Sequence, residues 1–486
     1  MNLEFVRPFL KFIPEIRLPK RHIAFKEKLI WTTVILALFF IMGNIRPIGV
    51  SVVDLPVSYR QFQIIFASNM GSLISVGIGP IVTASIVLQL LVGSKMLDID
   101  LTANEGKALF QGTQKILTVI IAFFEGSAIV IGFHLGEKYL TSIGRQWALS
   151  DPMVMSAIFQ IAMGSIILMY LDEIVSKWGI GSGIGLFIAA GVSLHIISGT
   201  FGFLGLIDPV HYQGQLGIIP NVLSQLLNNN ADMWGMFILL FPVIATIAVF
   251  LTAVYAESMR LEIPLSYGGV RGVGGRYPLK FFYVSNIPVI LTAALLANVQ
   301  MLPTLVGIGL QNTIPYDKMN ILQQGVSTFV EYVTIGQLSG RGGNPGILNP
   351  ANWVMLANTQ VILHLIIYTT VFLLLCILFG KFWVETTGLG ADRVAEQIQK
   401  GGMQIPGFRR DQRVVERVLN RYIPQITIIS SIAVGVVAVG ADLLGAMGSG
   451  TGILLTVGIL YRLYEEIEKE QMADMHPAFR KFMGKA

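Results

Sequence analysis

One short glycine-rich segment occurs twice in this chain, 267 residues apart. The first copy, residues 179–191, reads GIGSGIGLFIAAG, and the second, residues 446–458, reads AMGSGTGILLTVG. Five positions are identical between the copies: Gly181, Ser182, Gly183, Gly185 and Gly191 correspond to Gly448, Ser449, Gly450, Gly452 and Gly458. Each copy opens an apolar stretch of membrane length. Duplicated, glycine-interrupted apolar segments at matching places in two halves of a chain are typical of the central site of a membrane transport protein.

The amino-acid composition requires a lipid environment. Hydrophobic residues make up 53% of the 486 residues, charged residues make up 13%, and the mean hydropathy is +0.67. A soluble domain is about 25% charged. A chain this apolar cannot keep so much surface away from water unless lipid covers it.

The sequence lacks the usual motifs of an enzyme. Its single cysteine, Cys376, excludes an intrachain disulfide, and its six histidines are scattered without metal-ligand spacing. It contains neither a Walker-type phosphate loop nor a GxSxG nucleophile motif. We therefore expect no catalytic residues, no cofactor and no metal, and a protein that is not an enzyme.

Apolar stretches long enough to cross a bilayer, roughly 20 residues each, occur ten times. They are predicted at about 24–45, 72–93, 114–135, 153–174, 180–200, 235–257, 281–302, 354–380, 423–445 and 450–467. Basic residues favour the cytoplasmic side. With the N-terminus inside, only six of the 34 lysines and arginines fall in outer loops: Arg46, Arg60, Lys138, Arg145, Lys318 and Arg341. Both termini are therefore predicted to be cytoplasmic.

Ten spans divide into two halves of five, and the glycine segments then begin spans five and ten. Because five is odd, the second half must run opposite to the first, which makes the repeat inverted. Spans two and seven carry a weaker echo, in which residues 79–83 (GPIVT) resemble residues 287–291 (IPVIL). The fold class predicted is an all-α, polytopic membrane protein of two inverted five-helix halves.

The repeat-related positions in the middle of the spans are aliphatic. Ile188 matches Leu455, although Leu454 adjoins it, and Val82 matches Ile290. Ile78 and Ile184 lie one helical turn from Val82 and Ile188, on the same faces. A ring of branched aliphatic side chains gates a pore by dewetting and binds no ion. Taken one at a time, these residues also fit plain helix packing.

Two other classes of membrane protein compete with a pore of this kind. An ion-coupled secondary transporter also uses inverted repeats and broken helices, but it normally carries charged or polar groups inside its spans. Here Glu125 is the clear intramembrane charge, while Asp172, Glu173, Glu257, Glu385 and Asp442 sit near span ends. An intramembrane enzyme would need a catalytic dyad at membrane depth, and the sequence shows none.

Several blocks of the sequence resemble the SecY family, the central subunit of the protein-conducting channel. They are ISVGIGPIVTASIVLQLLVGS, LDEIVSKWGIGSGIGLFIAAG, RYPLKFFYVSNIPVIL, FWVETTGL and GSGTGILLTVGILYR, and their style resembles archaeal members. The resemblance extends over nearly the whole chain. It implies a ten-helix clamshell in which unfolded, signal-bearing polypeptides cross through an hourglass pore. Transmembrane segments leave through a lateral gate into lipid.

The resemblance also implies roles for individual residues. The family's pore ring falls on Ile78, Val82, Ile184, Ile188, Ile290 and Leu455. Its lateral-gate polar cluster falls on Thr83, Glu125 and Asn298, where many relatives have Gln in place of Glu125. Its plug falls near 57–70, with Phe62, Ile64, Ile65 and Phe66 as the apolar residues. From the residues alone, that stretch also fits an amphipathic surface segment, and Glu125 fits a structural hydrogen bond.

Two basic loops predicted on the cytoplasmic side, 258–280 and 381–421, complete the resemblance. In the family such loops dock the ribosome, which implicates Arg271, Arg276, Lys280, Arg409 and Arg410. Alternatively, the basic residues of these loops enforce the membrane topology or contact anionic lipid. The other partners implied are a SecE-type (gamma) subunit, a beta-type subunit, the nascent polypeptide and membrane lipid, in the cell membrane.

The chain therefore divides into five predicted parts. They are an interfacial N-terminal segment, 1–23, the first half, 24–200, an external loop, 201–234, the second half, 235–467, and a cytoplasmic tail, 468–486. In the first part, Phe9, Phe12, Ile13 and Ile16 fall on one face of a helix predicted over 5–16, which suits the membrane surface.

Overall fold

A computed structural model of the chain describes most of its length. The described residues are 8, 14–21, 23–50, 63–93, 96–97, 104–142, 144–202, 216–227, 232–267, 274–306, 319–341, 344–400, 403–404 and 412–475. Each of the ten predicted spans coincides with a helix, labelled α1 to α10 in chain order. They are Phe25–Asn44, Gly79–Gly93, Asn104–Gly132, Pro152–Trp178, Gly183–Phe201, Met233–Ser258, Ile287–Val299, Thr359–Thr387, Gln412–Leu444 and Gly450–Met475.

Among the described helices, six are long and apolar enough to cross a membrane by length and composition: α3, α4, α5, α6, α8 and α9. The helices α2 and α7 are shorter, with 15 and 13 residues. Large apolar side chains on the outer faces stay exposed, such as Leu251 on α6 (62%) and Leu374 on α8 (61%). Exposed apolar faces of this kind suit contact with lipid.

The predicted spans two and seven begin too early, at 72 and 281. The helices start at Gly79 and Ile287, and the residues before them form turns. In each helix a proline, Pro80 or Pro288, is the second residue. Proline suits the first helical turn, where its missing N–H has no intrahelical partner to lose. The weak sequence echo between spans two and seven thus corresponds to two helices that start in the same way.

The loop at 258–280 is not irregular, as the sequence had suggested, but forms strands. Strand β1 (Arg260–Tyr267) pairs antiparallel with β2 (Gly274–Lys280), with Arg260 opposite Lys280. Two further strands, β3 (Gly340–Arg341) and β4 (Asn344–Pro345), form a separate small pair. Strand β5 (Met403–Gln404) pairs antiparallel with β1, so the sheet order is β2-β1-β5. The two predicted basic loops therefore meet in one sheet.

Other connections also contain regular structure. The predicted loop 381–421 is mostly helix, because α8 runs on to Thr387, α9 starts at Gln412, and a helix spans Ala391–Lys400 between them. Shorter helical segments occupy the remaining connections: Glu137–Ser142, Ile218–Leu227, Leu302–Leu305, Ile321–Val333, Gly336–Ser339 and Pro350–Ala357.

The predicted N-terminal surface helix lies mostly outside the described residues, as do Phe9, Phe12 and Ile13. Residues 14–21 are described and are not helical, so such a helix does not reach Ile16. The Lys177 ammonium, near the end of α4, donates to the Ile16 carbonyl (2.5 Å) and to the Glu15 carboxylate (3.1 Å). The Trp178 indole N–H donates to the Arg17 carbonyl (3.1 Å). Residues 15–17 are thus tied to the end of α4.

The buried apolar residues form two large clusters. The first joins side chains from α1 to α5 with one face of α7, Phe379 of α8 and Leu455 of α10, and the second joins side chains from α6 to α10. A methyl group added at Gly185 would lie 3.4 Å from Ile459, and one added at Gly452 would lie 3.0 Å from Val192. Val192 and Ile459 are themselves repeat-related. The earlier residue of α5 (Gly185) therefore meets the later residue of α10 (Ile459), and the later residue of α5 (Val192) meets the earlier residue of α10 (Gly452). The helices α5 and α10 thus run antiparallel, as an inverted repeat requires.

Candidate pore and gate

The two glycine segments share a left-handed glycine and a capping serine at the starts of α5 and α10, although Ser182 is extended (φ −100°) and Ser449 is left-handed (φ 58°). Gly181 and Gly448 both have φ of 78°, a left-handed conformation that favours glycine. One residue later, the Ser182 hydroxyl accepts a hydrogen bond from the Gly185 N–H (3.5 Å), and the Ser449 hydroxyl accepts one from the Gly452 N–H (3.0 Å). These serines are helix N-caps. The repeat is thus a structural repeat as well as a sequence repeat.

All six side chains of the predicted ring belong to one apolar cluster. Ile78, Val82, Ile188 and Leu455 are buried in it, and Ile184 and Ile290 are partly buried against it. They come from α5 and α10, from α7, and from α2 with the residue that precedes it. Leu454, which the sequence could not separate from Leu455, lies in the other cluster. Of these two leucines, Leu455 therefore packs with the other five predicted ring residues.

A cavity of about 320 Å³ ends at this ring. Val82, Ile184, Ile188 and Ile290 form its aliphatic end. The rest of its lining includes polar groups from several helices: Gln89, Gln114, Ser182, Arg462 and Glu466. The cavity thus leads from a polar mouth to an apolar constriction.

The described part of the predicted plug, 63–70, lies against the other side of the ring. Ile64, Ile65 and Phe66 are buried in the same cluster as the ring, while Phe62 lies outside the described residues. The Phe66 carbonyl accepts a hydrogen bond from the Ile78 N–H (2.9 Å). Residues 63–65 form one helical turn. This segment therefore packs against the constriction and is joined to it through the backbone.

The plug segment contacts both halves of the molecule at repeat glycines. A methyl group added at Gly191 of α5 would lie 3.6 Å from Ala67 Cα, and one added at Gly452 of α10 would lie 2.9 Å from Ile64. At Gly452 the absence of a side chain lets the segment approach α10 closely, whereas a methyl group at Gly191 would make an ordinary contact. The close approach explains the glycine at position 452, where glycine otherwise lowers helix stability.

The predicted gate residues Thr83, Glu125 and Asn298 are brought together. The Asn298 amide donates to the Thr83 hydroxyl (2.8 Å), and that hydroxyl donates to the Glu125 carboxylate (2.9 Å). The three residues come from α7, α2 and α3. Two helices of the first half are thus joined to a helix of the second half through a single hydroxyl.

Glu125 is 3% exposed, and only one of its oxygens is used in this contact. Its Oε2 atom is buried without a hydrogen-bond partner. A methyl group added at Gly79 would lie 2.7 Å from that oxygen, so the glycine leaves room for the carboxylate. Because Phe66 lies 3.6 Å from the same methyl position, the gate residue and the plug segment are close neighbours.

The structure describes few of the predicted ribosome-contact residues. Arg271, Arg409 and Arg410 lie outside the described residues, and Arg276 is described only as part of β2. Lys280 is described, and its ammonium pairs with the Glu465 carboxylate of α10 (3.1 Å). Lys280 thus anchors the β-hairpin to the helical body, and its role in ribosome contact stays a prediction.

Arg260, which lies opposite Lys280 at the base of the hairpin, reinforces this anchor. Its guanidinium lies 3.5 Å from the Glu465 carboxylate and donates to the Tyr461 hydroxyl (3.4 Å). The hydrogen bond to Tyr461 raises the pKa of the Arg260 guanidinium above its ordinary value. Both ends of the hairpin therefore attach to α10.

Two inverted sets of helices that meet at a plugged aliphatic constriction define a multi-pass membrane protein with a central pore. The family model described as SecY matches residues 72–464. The protein translocase subunit SecY of Methanothermobacter thermautotrophicus is 43% identical, over 99% of each chain. The chain belongs to the SecY family, whose role as a protein-translocation channel is not enzymatic.

Solved structures of this family share the fold. A structure of a protein conducting channel superposes with a TM-score of 0.79 at 42% identity and covers 97% of this chain and 99% of its own. Sec61 in the canine ribosome-channel complex from the endoplasmic reticulum gives 0.76 at 42% identity with the same coverage. A structure concerned with the SecY plug domain, which stabilises the closed state and maintains a membrane seal, gives 0.73 at 40% identity and the same coverage. The ten-helix, two-half fold predicted from the sequence is confirmed.

Sequence reasoning missed two residues next to the repeat, Asp172 and Asp442. The Asp172 carboxylate accepts a hydrogen bond from the Ile184 N–H, and the Asp442 carboxylate accepts one from the Gly450 N–H. In the sequence both appeared only as charges near span ends. The signal that could have identified them is a carboxylate a few residues before each glycine segment.

Proposed function

We propose that this chain is the pore-forming subunit of a protein-conducting channel in the cell membrane. It passes unfolded, signal-bearing polypeptides through the aliphatic ring and releases transmembrane segments into lipid. One observation carries the proposal: six aliphatic side chains from both halves converge in one cluster, with a cavity on one side and the plug segment on the other.

The chemistry of the ring suits a passing chain better than a solute. Branched aliphatic side chains offer no ligand to an ion, and they surround any polypeptide sequence without a specific contact. An ion-coupled transporter would place polar groups at this point instead. The polar residues of the cavity lie at its mouth, away from the ring.

The plug segment gives the resting channel its seal. Ile64, Ile65 and Phe66 fill the space beside the ring, and an entering chain displaces them. The related SecY structure in which the plug domain maintains a membrane seal supports this role. The adjoining cavity of about 120 Å³ between α1, α5 and residues 63–69 leaves the segment incompletely packed on one side.

The contact among Thr83, Glu125 and Asn298 holds the lateral gate shut. At membrane depth, polar side chains favour each other over lipid. An apolar signal sequence that inserts between α2 and α7 breaks the Asn298–Thr83 bond and lets the halves separate. The seam then opens towards lipid, where a transmembrane segment partitions.

The orientation follows from the distribution of basic residues, and the partners follow from the related proteins. Both termini lie in the cytoplasm, because the basic residues concentrate there. The β-hairpin and the 381–421 connection, with Arg271, Arg276, Arg409 and Arg410, form a basic surface for the ribosome, whose phosphates attract it. The related canine ribosome-channel complex supports this contact. A gamma-type and a beta-type subunit complete the channel, and the translating ribosome supplies the driving force.

A site-directed crosslink tests passage through the ring. In a Cys376→Ser background, Ile188→Cys places one thiol in the constriction, and Leu251→Cys places one on an exposed face of α6 as the control. A stalled ribosome-bound secretory chain with a single cysteine is then presented to the reconstituted complex. We expect disulfides at Ile188→Cys within a narrow window of chain positions, lost when the signal sequence is deleted. Reaction at Leu251→Cys without reaction at Ile188→Cys would refute the path.

Uptake of solutes separates the channel from the competing transporter. Proteoliposomes that hold the complex are given labelled amino acids, sugars and sodium across an ion gradient. A protein-conducting channel accumulates none of them against a gradient, whereas an ion-coupled transporter accumulates its substrate. Accumulation of any solute would favour the transporter.

A further inference from the structure

The two helices that the glycine segments open, α5 and α10, both begin against a carboxylate from the preceding helix. Asp172, near the end of α4, accepts a hydrogen bond from the Ile184 N–H (2.8 Å). Asp442, near the end of α9, accepts one from the Gly450 N–H (2.6 Å). Ile184 is itself a ring residue, and Leu455 lies five residues after Gly450. Both carboxylates therefore bind the backbone close to the ring.

Both halves have this contact between a carboxylate and a helix start, although the two aspartates do not align in the sequence repeat. Asp172 and Asp442 are 270 residues apart, three more than the offset of the glycine segments, so an alignment at 267 does not pair them. A methyl group added at Gly183 would lie 2.5 Å from Asp172 Cα, and one added at Gly450 would overlap Ala441. The repeated glycines thus admit the approach of each helix start to the carboxyl-bearing helix.

The physical reason for a carboxylate at these places is the unpaired start of a helix. The first N–H groups of a helix lack intrahelical partners, and they carry the positive end of its dipole. In a membrane protein, groups shielded from water must find partners within the protein. Asp442 is 6% exposed and Asp172 is partly buried. Each carboxylate therefore fixes its helix both through a hydrogen bond and through charge.

We propose that Asp172 and Asp442 are paired positioning residues of the pore ring. Asp172 fixes the start of α5 to α4, and Asp442 fixes the start of α10 to α9, each within its own half. Each carboxylate thereby sets the depth at which its helix presents a ring residue, Ile188 or Leu455. A shift of either helix along its own axis would separate these two side chains and open the seal. This inference rests on the proposed function, since it gives the two residues a role in keeping the resting channel closed.

Resting ion flux tests the inference. Proteoliposomes hold the complex with its small subunits at equal incorporated amounts, without substrate, and iodide flux is measured for Asp172→Ala and Asp442→Ala. We expect each variant to raise the flux about tenfold, the factor expected when one charge-assisted hydrogen bond is lost from the closed state. Asp172→Asn and Asp442→Asn keep an oxygen acceptor but lose the charge, so they raise it about threefold.

A third aspartate provides a matched control. Asp151 caps α4, where it accepts a hydrogen bond from the Met153 N–H (2.9 Å), and α4 carries no ring residue. Asp151→Ala loses a similar bond, and we expect its flux to stay within about twofold of the parent. An equal rise in Asp151→Ala, or parent flux in the Asp172 and Asp442 variants, would overturn the inference. If the alanine variants do not insert, the isosteric asparagine variants decide the same question.

The crosslink at Ile188→Cys separates the two failures. If the parent complex crosslinks to a translocating chain but the aspartate variants do not leak, the channel function stands and the positioning role fails. If the parent itself gives no crosslink at Ile188→Cys, the proposed function fails whatever the flux.

Discussion

At the scale of single residues, Thr83 joins three helices through one hydroxyl, which donates to Glu125 and accepts from Asn298. Thr83→Val keeps the shape of the side chain and removes both bonds. We expect it to weaken the closed gate by about 1–3 kcal/mol, because the buried Glu125 and the partly buried Asn298 both lose a hydrogen-bond partner. The measurement is an export ratio: the amount exported of a passenger with a defective signal sequence, divided by the amount exported of the same passenger with an intact signal. We expect this ratio to be higher for Thr83→Val than for the parent.

A second threonine controls for the loss of a hydroxyl alone. Thr118 is buried, and its hydroxyl donates to the Gln114 carbonyl within α3, so it joins no second helix. Thr118→Val is expected to leave the export ratio unchanged. The gate assignment is wrong if Thr83→Val behaves like Thr118→Val in this export assay.

The left-handed glycines give a second prediction at this scale. Gly181→Ala and Gly448→Ala both place a side chain at φ of 78°, which costs about 1–2 kcal/mol. At Gly448 the new methyl group also lies 3.1 Å from Ile196, whereas at Gly181 the nearest atom lies at 3.4 Å. We therefore expect Gly448→Ala to lower the thermal unfolding midpoint in detergent more than Gly181→Ala.

Gly440 supplies the contrast for that series. It lies within α9, and a methyl group added there meets nothing within 4 Å. Gly440→Ala is therefore expected to raise the stability by about 0.5–1 kcal/mol, because alanine favours the helix. A midpoint for Gly448→Ala at or above that of Gly440→Ala would contradict the strain argument.

Single residues also mark where prediction from the sequence stopped. The repeats identified Ile188 and Val82 because each has a partner in the other half, Leu455 at an offset of 267 and Ile290 at an offset of 208. They could not choose between Leu454 and Leu455, because adjacent helical positions face different clusters only once the helix rotation is known. They missed Asp442 because a three-residue difference in the preceding turn breaks the register.

At the scale of elements, the ten spans were predictable because about 20 apolar residues have few alternatives to a membrane helix. The β-hairpin was not predicted, since its glycines and charges resemble a loop. One signal was present: Leu261, Ile263 and Leu265 alternate with other residues before Gly268 and Gly269, the pattern of a strand followed by a turn. The starts of α2 and α7 were misplaced because apolar turns precede them.

The hairpin gives the prediction at this scale. Glu465 pairs with both Lys280 and Arg260 at the base of the hairpin. Glu465→Gln removes the charge that both cations share, so the hairpin loosens from α10. We expect amides of β1 and β2 to exchange hydrogen about threefold to fivefold faster, since partly exposed ion pairs contribute at most about 1 kcal/mol.

Glu468 is the matched control for the hairpin. It lies one turn further along α10, is exposed, and has no ion pair among those the structure describes. Glu468→Gln should leave exchange in β1 and β2 unchanged. Equal protection in Glu465→Gln and the parent would mean that backbone pairing alone holds the hairpin in place.

At the scale of the whole molecule, a pseudo-two-fold relation joins the halves, and the plug segment breaks it. Gly185 and Gly452 are repeat-related, and each contacts an aliphatic residue of the other helix. Only Gly452 also faces Ile64 of the plug segment. Sequence symmetry could predict the paired helices, but it could not predict which of the two glycines the plug segment would contact, because the described residues that lead to α7 in the second half form a β-hairpin instead.

This asymmetry makes two symmetric substitutions unequal. At Gly452 an added methyl group would lie 2.9 Å from Ile64 and 3.0 Å from Val192, too close for either, so Gly452→Ala forces the plug segment away from α10. At Gly185 it would lie 3.4 Å from Ile459, an ordinary contact. We therefore expect Gly452→Ala to raise resting iodide flux about tenfold, on the order of the change for a closed state weakened by about 1–3 kcal/mol. Gly185→Ala, whose helix only gains propensity, should leave the flux at the parent level. Equal flux in the two variants would mean that Ile64 takes no part in the seal, and that the ring alone closes the resting pore.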